Sequence, residues 1–224
     1  MDRDMRALYH ENLRQLTELL HAMCLRDRAA VEAATDAVVN ANIEQAEAAI
    51  DIAAEVETMQ QSAEQEAIRL LALQSPVAGE LRQVVTAIQL TGNLQRMGAL
   101  AGHIATSARR RHPGQAIVDS VRPLVARMGS TAADIATSAA DVLDSGDPAA
   151  AATLDSQDDA MDRLHERLLA TVLDHEWDAG ITTAVDVTLL GRYYERFADN
   201  AVEVGRRTIF LATGETAENW TPDL

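Results

Sequence analysis

The carboxylates are the side chains that type and spacing best equip for chemistry. Glu195 and Asp199 lie four residues apart in Glu195-Arg196-Phe197-Ala198-Asp199, and Glu203 follows after another four. On a helix that spacing puts all three on one face. Like charges so placed repel by about 0.2–0.5 kcal/mol per pair, so something must offset them. A hard or borderline metal ion held by carboxylate oxygens would do so. So would the local arginines: Arg192 three before Glu195, Arg196 three before Asp199, and Arg206 and Arg207 three and four after Glu203. Spacing alone leaves both readings open, a metal site and a salt-bridged solvent face. A second acidic stretch runs from Asp155 to Asp162, with Asp158 and Asp162 again four apart. If the two segments pack as antiparallel helices, two carboxylate pairs converge. The plainer alternative is an acidic helix start favoured by the helix dipole.

Other constellations are weaker. Glu18-Leu19-Leu20-His21 matches the Glu-x-x-His element of carboxylate-bridged metalloenzymes, and Asp162-Arg163-Leu164-His165 matches it with Asp for Glu. Such matches arise by chance in a helical chain this acidic. His103 falls on the side of its helix that carries Gln95 and Ala99 and reads as a core-edge or surface histidine. Cys24 is the single cysteine, which excludes an internal disulfide. There is no nucleophile elbow, glycine-rich phosphate loop or cysteine pair. No catalytic residue is assigned, and no cofactor is required. A divalent or iron-type metal held by Glu195, Asp199, Asp158 and Asp162 is the one cofactor the residues suggest.

Helices must position these groups. Ala, Leu, Glu, Gln and Arg dominate, all good helix formers, and aromatics are 3% of the chain. Punctuation divides the chain into six helices over roughly 3–40, 42–73, 76–111, 115–145, 147–176 and 181–213. Asn42 reads as an N-cap with Gln45 in a capping box, and Ser75-Pro76 as N-cap and N1. Ser145-Gly146-Asp147-Pro148 reads as a stop followed by a start. In the sixth helix Val187, Leu190, Tyr194, Phe197, Ala201, Val204, Thr208 and Leu211 form a seam in steps of three and four. Subtracting 100 gives Ala87, Leu90, Leu94, Met97, Ala101, Ile104, Ala108 and Arg111, so the seam recurs and fails only at its last position. The second and fifth helices match less closely, with Val56-Glu57 opposite Met161-Asp162. The spacing predicts an all-α fold of two tandem three-helix bundles related by pseudo-two-fold symmetry. The expected units are residues 1–112 and 113–214, with 215–224 as a short acidic tail.

The net charge of −16 and pI near 4.6 argue against nucleic acid and against polybasic attachment to lipid. Arg109-Arg110-Arg111 is the one basic run and reads as a solvated helix end. No apolar run approaches the roughly 18 residues of a membrane span, and the first residues show no signal-peptide pattern. The expectation is a cytoplasmic protein without direct membrane insertion.

Two stretches carry a family resemblance. Pro76-Val77-Ala78-Gly79-Glu80-Leu81-Arg82 resembles the P-x-A-x-D-L-R entry to the third helix of the PhoU family, with Glu80 for Asp. Gly191-Arg192-Tyr193-Tyr194-Glu195-Arg196-Phe197-Ala198-Asp199-Asn200 resembles the family's x-R-Y-L-E-R-I-G-D-H signature. The resemblance implies two three-helix bundles in a non-enzymatic negative regulator of phosphate uptake and the phosphate-starvation response. It implies as partners the ATPase subunit of a phosphate ABC transporter, a sensor histidine kinase, and a second copy in a homodimer. It also implies metal clusters on acidic motifs, one set per repeat. Here the second repeat keeps Glu195, Asp199, Asp158 and Asp162. The first has Gln95, Ala99, Ala53 and Glu57 in their places and Asn93 where an acid often stands. Its metal site is expected to be lost. The alternatives are a metalloenzyme on a helical bundle and a generic helical adaptor.

Overall fold

The computed structural model describes residues 2–74, 76 and 78–221, and the side chains of all of these except 2–5, 73 and 74. The described residues form six helices: α1 (Asp2–Asn40), α2 (Ile43–Gln74), α3 (Gly79–Arg111), α4 (Arg122–Ser145), α5 (Pro148–Val172) and α6 (Gly180–Thr213). No strand occurs among the described residues. The expected caps are in place at two starts. The Gln45 amide donates to Asn42 Oδ1 at 3.3 Å, and the Ala149 amide donates to Asp147 Oδ1 at 2.9 Å ahead of Pro148. Gly146 ends α4 in the left-handed conformation at φ 63°, which glycine adopts without a Cβ penalty.

Three boundaries differ from the sequence reading. The third helix starts at Gly79 rather than Pro76, and the proposed cap Ser75 lies outside the described residues. The fourth starts at Arg122 rather than 115, because the connection spends its apolar residues differently. Ala116 and Ile117 are buried, at 5% and 2% exposure, so they plug the core from a turn instead of opening a helix. The fifth ends at Val172, and Trp177 then donates to the Gly180 carbonyl at 3.2 Å across the turn into α6.

Each set of three consecutive helices packs on itself, and α1 against α4 and α3 against α6 join the two sets. Both seams are core. Ala87 through Ala108 and Val187 through Thr208 are buried at every predicted position. At the position where the first seam fails, Arg111 reaches across instead to Asp186, at the start of α6. Its Nε donates to Asp186 Oδ2 at 2.8 Å, and Arg110 donates to Oδ1 at 3.0 Å. The solvated-terminus reading of this arginine run is therefore corrected for two of its three members. Asp186 is only 10% exposed, and two guanidinium groups satisfy a carboxylate that could not otherwise be buried. Arg109 faces Glu47 at 3.6 Å.

Candidate acidic site between the fifth and sixth helices

Glycines let α5 lie close to α6. A Cβ on Gly191 would come within 2.7 Å of Leu168 and 3.0 Å of His165. One on Gly205 would come within 2.8 Å of Leu154 and 2.9 Å of the Ala151 carbonyl oxygen. Helices approach to this distance only where one of them lacks a side chain. The two glycines bracket Glu195 and Asp199 along α6, so the carboxylates sit where the helices are nearest. Glycines fourteen residues apart on a helix share a face, and that spacing was the available sequence signal for these positioning residues.

The structure places the four carboxylates singled out by spacing within one electrostatic field. The field at Asp158 shows it: burial, followed by the negative charges of Asp199, Asp162 and Glu195, pushes its carboxyl up to about 6, with Arg206 opposing. Burial first, then Asp199, also raises Glu195, while Arg192 pulls it back. Asp199 is raised chiefly by burial, against Arg192. Asp158 Oδ1 is buried without a hydrogen-bond partner. Arg192 donates to both oxygens of Glu195, whose side chain is 14% exposed. Arg206 is drawn to Asp155 at 2.9 Å, and Glu203 pairs with Arg207 at 2.8 Å. Beside the carboxylates, a polar cleft of about 330 Å³ is lined by Asn93, Asp158, Arg196, Asp199, Asn200 and Arg206.

The donor chemistry suits a hard cation, but the side chains as placed do not form its coordination shell. Among the described residues no three Asp, Glu, His or Cys side chains are gathered as a metal would require. A metal would have to displace Arg192 from Glu195. What stands there is a set of carboxylates, partly paired with arginine, of which Asp158, Glu195 and Asp199 are raised above the ordinary carboxylate range.

The equivalent place in the first repeat is built from different material. Ala53, at the position of Asp158, packs on Gly102, where a Cβ would lie 3.3 Å from the Ala53 methyl. Gly98 closes on Val56 in the same way, at 3.1 Å. His103, one turn beyond Ala99, stacks on Tyr193 of the other repeat with ring centroids 5.4 Å apart. The other sequence candidates separate. His21 lies on α1, whereas His165 lies on α5 beside Gly191, within the field that acts on Glu195. Cys24 is fully buried and donates to the Ala136 carbonyl at 3.3 Å, so it serves the α1–α4 crossing. Sequence reasoning missed Asp27, which is buried at 0% exposure with neither carboxylate oxygen partnered. Its position three residues after Cys24, on the same helical stripe, was the signal.

A family model for the PhoU domain matches this chain twice, over residues 20–108 and 125–208. The chain belongs to the PhoU family. Curated relatives of this PhoU-family chain include the "Phosphate-specific transport system accessory protein PhoU homolog 2" of Mycobacterium tuberculosis. It is 50% identical over 210 residues, spanning 94% of this chain and 99% of the relative. The corresponding homolog 1 of Mycobacterium leprae is 48% identical, spanning 97% and 98%. The crystal structure of PhoU from Pseudomonas aeruginosa superposes with a TM-score of 0.86 at 22% identity, covering 92% of this chain and 100% of that one. The phosphate transport system regulatory protein PhoU from Streptococcus pneumoniae gives 0.82 at 20% identity, covering 93% and 98%. These likenesses bear out the all-α PhoU architecture with two repeats. No helix among the described residues is long and apolar enough to cross a membrane.

Proposed function

We propose that this PhoU-family chain is a non-enzymatic accessory regulator of phosphate transport that holds uptake and the starvation response down when phosphate is plentiful. The observation that carries the reading is the near end-to-end identity of 50% with a relative whose name is that of a phosphate-specific transport accessory protein. In this proposal the chain works at the cytoplasmic face, on the ATPase subunit of a phosphate ABC transporter and on a sensor histidine kinase, and pairs with a second copy of itself. An exposed apolar stripe supports such docking. Ile181, Val185 and Leu189 recur every fourth residue at the start of α6 with exposures of 84%, 51% and 41%, and Leu173 stands before them at 82%. The pseudo-equivalent Leu81 and Val85 on α3 are also exposed, at 42% and 41%. A divalent or iron-type ion, in the same proposal, belongs to the second repeat alone, since the first keeps only Glu57 of its four acids.

The test is a deletion strain grown in high phosphate. Starvation genes should stay on and return to repression when the chain is restored. Normal repression in a deletion strain that lacks a paralogue overturns the regulatory reading. Affinity capture from phosphate-replete cells should recover the ATPase or the kinase. An Ile181→Asp/Val185→Asp variant should recover less of either. Equal recovery by that variant removes the stripe from the docking surface.

A further inference from the structure

A groove of about 800 Å³ runs between α4 and α5. Its lining includes Arg127 from α4 and Arg163 and Arg167 from α5, together with the hydroxyls of Ser120 and Thr131, and no carboxylate. In a chain of net charge −16 this is a local reversal of sign. We propose that the groove binds a small ligand bearing two or more adjacent phosphoryl groups. The inference goes beyond the regulatory reading and does not depend on it.

The pairing pattern singles these arginines out. Four others in the second repeat, Arg122, Arg192, Arg206 and Arg207, each meet an acid, Asp119, Glu195, Asp155 and Glu203 in turn. The remaining one, Arg196, makes no ion pair among the described residues but lines the acidic cleft within the field of Asp199. The guanidinium groups of Arg127, Arg163 and Arg167 meet none among the described residues. Asp159, Asp162 and Glu166, the acids within one turn of Arg163 along α5, stay out of the groove lining, and Asp134 lines the neighbouring α1–α4 cleft instead. Arg163 and Arg167 are one helical turn apart, where like charges repel, and no carboxylate of the groove lining offsets that cost. An anion would.

The size of the groove decides which anion. A guanidinium fork takes one phosphoryl group by two parallel charge-assisted hydrogen bonds. Two forks one helical turn apart on α5 and a third from α4 line the groove, and three bidentate pairings call for six oxygens where a single orthophosphate has four. The volume falls in the range of about 300–1,000 Å³ typical of small-ligand clefts. The feature also belongs to one repeat only. At the offset of 105 that pairs α2 with α5, Arg163 and Arg167 correspond to Thr58 and Ser62, so the duplication did not carry the cations along.

Calorimetric titration of the full chain with sodium tripolyphosphate, at physiological ionic strength and without divalent metal, tests this. One saturable site per chain is expected. In Arg163→Gln/Arg167→Gln it should weaken at least tenfold, about 1.4 kcal/mol. The control Arg28→Gln removes an exposed arginine paired with Glu32 and should leave binding unchanged. Circular dichroism confirms that the variants are folded, as exposed Arg→Gln changes should be. ATP binding as tightly as tripolyphosphate assigns the site to nucleotides, and weaker ATP binding assigns it to inorganic chains. Sulfate or orthophosphate binding as tightly as tripolyphosphate overturns the proposal, as does equal tripolyphosphate affinity in the double variant.

Discussion

The two repeats share a backbone plan and differ in what fills the gap between their last two helices. In the second, Gly191 and Gly205 bring α5 onto α6 around four carboxylates. In the first, Gly98 and Gly102 bring α2 onto α3 around Val56 and Ala53. Close helix approach was kept in both, while the acids were kept in one. A duplicated bundle thus needs small residues at this interface for packing alone, and the acidic face is an addition that the fold does not require. Desolvation and mutual repulsion raise Asp158, Glu195 and Asp199, so these groups cost stability at neutral pH rather than supply it. Residues that persist at a cost to the fold point to function.

The largest test of that comparison is steric. Gly205→Val places methyls against the Ala151 backbone, which cannot move aside as a side-chain end would. Overpacking of this kind costs about 2–3 kcal/mol, so the melting temperature should fall by roughly 5–10 °C in a chain of this size. Gly92→Ala is the matching control in the first repeat, since nothing lies within 4 Å of the Cβ it would add. Helix propensity alone should then raise stability by about 1 kcal/mol. If Gly205→Val melts like the wild type, the close approach of α5 to α6 does not hold in solution.

The second test uses Asp27, the acid the first repeat does bury. Burial raises its carboxyl well above the ordinary aspartate range. The folded state therefore binds a proton that the unfolded state releases once pH exceeds the usual value near 4. Its contribution to stability is fully present at pH 3 and is lost as pH rises towards the raised folded value. Asp27→Ala removes the orphaned carboxyl and should stabilise by about 1–2 kcal/mol at pH 7. That gain should disappear at pH 3. Urea unfolding at both pH values measures it, and a gain of equal size at both would show that ionisation is not the cause.

How much of this was legible differs by scale. Helix number, the caps at Asn42 and Asp147, and the recurring seam follow from local chemistry and periodicity, which the sequence displays directly. That Asp158 and Asp162 would face the field of Glu195 and Asp199 was also legible, because antiparallel packing of α5 on α6 follows from a short connection. Features that depend on contact between distant segments were not. Arg110 and Arg111 read as a solvated end because nothing local shows Asp186 arriving from 75 residues away. Ile117 read as helix because its apolar character fits a helix face and a core plug equally well. The unpaired arginines of the α4–α5 groove went unnoticed because only the structure shows which arginines have partners.

The smallest expected effect is also the one that separates a metal-binding face from an ion-paired one. Asp158 titrates at about 6, so the wild type should lose stability as pH rises from about 4 to about 6, the folded state releasing its proton later than the unfolded. The group is half-exposed, and solvent screening reduces the loss to on the order of 1 kcal/mol. Glu195→Gln/Asp199→Asn removes two of the three charges that raise it. Burial comes first among the causes and Asp162 remains, so the value should move down without reaching that of free aspartate. Carboxyl chemical shifts followed through pH 3–8 report the change. An unmoved Asp158 would show that the four carboxylates do not share a field. The same variant, analysed for bound metal beside the wild type and Gln95→Ala, tests the asymmetry between repeats. Metal present in the wild type and Gln95→Ala but absent from the double variant places the ion on the second repeat. Metal retained by the double variant contradicts that placement, because the two aspartates left on α5 offer too few anionic oxygens to hold a hard cation. Metal absent from all three leaves the raised carboxyls and Arg192 as the whole of the site. The acids would then be kept for what they present to a basic partner surface.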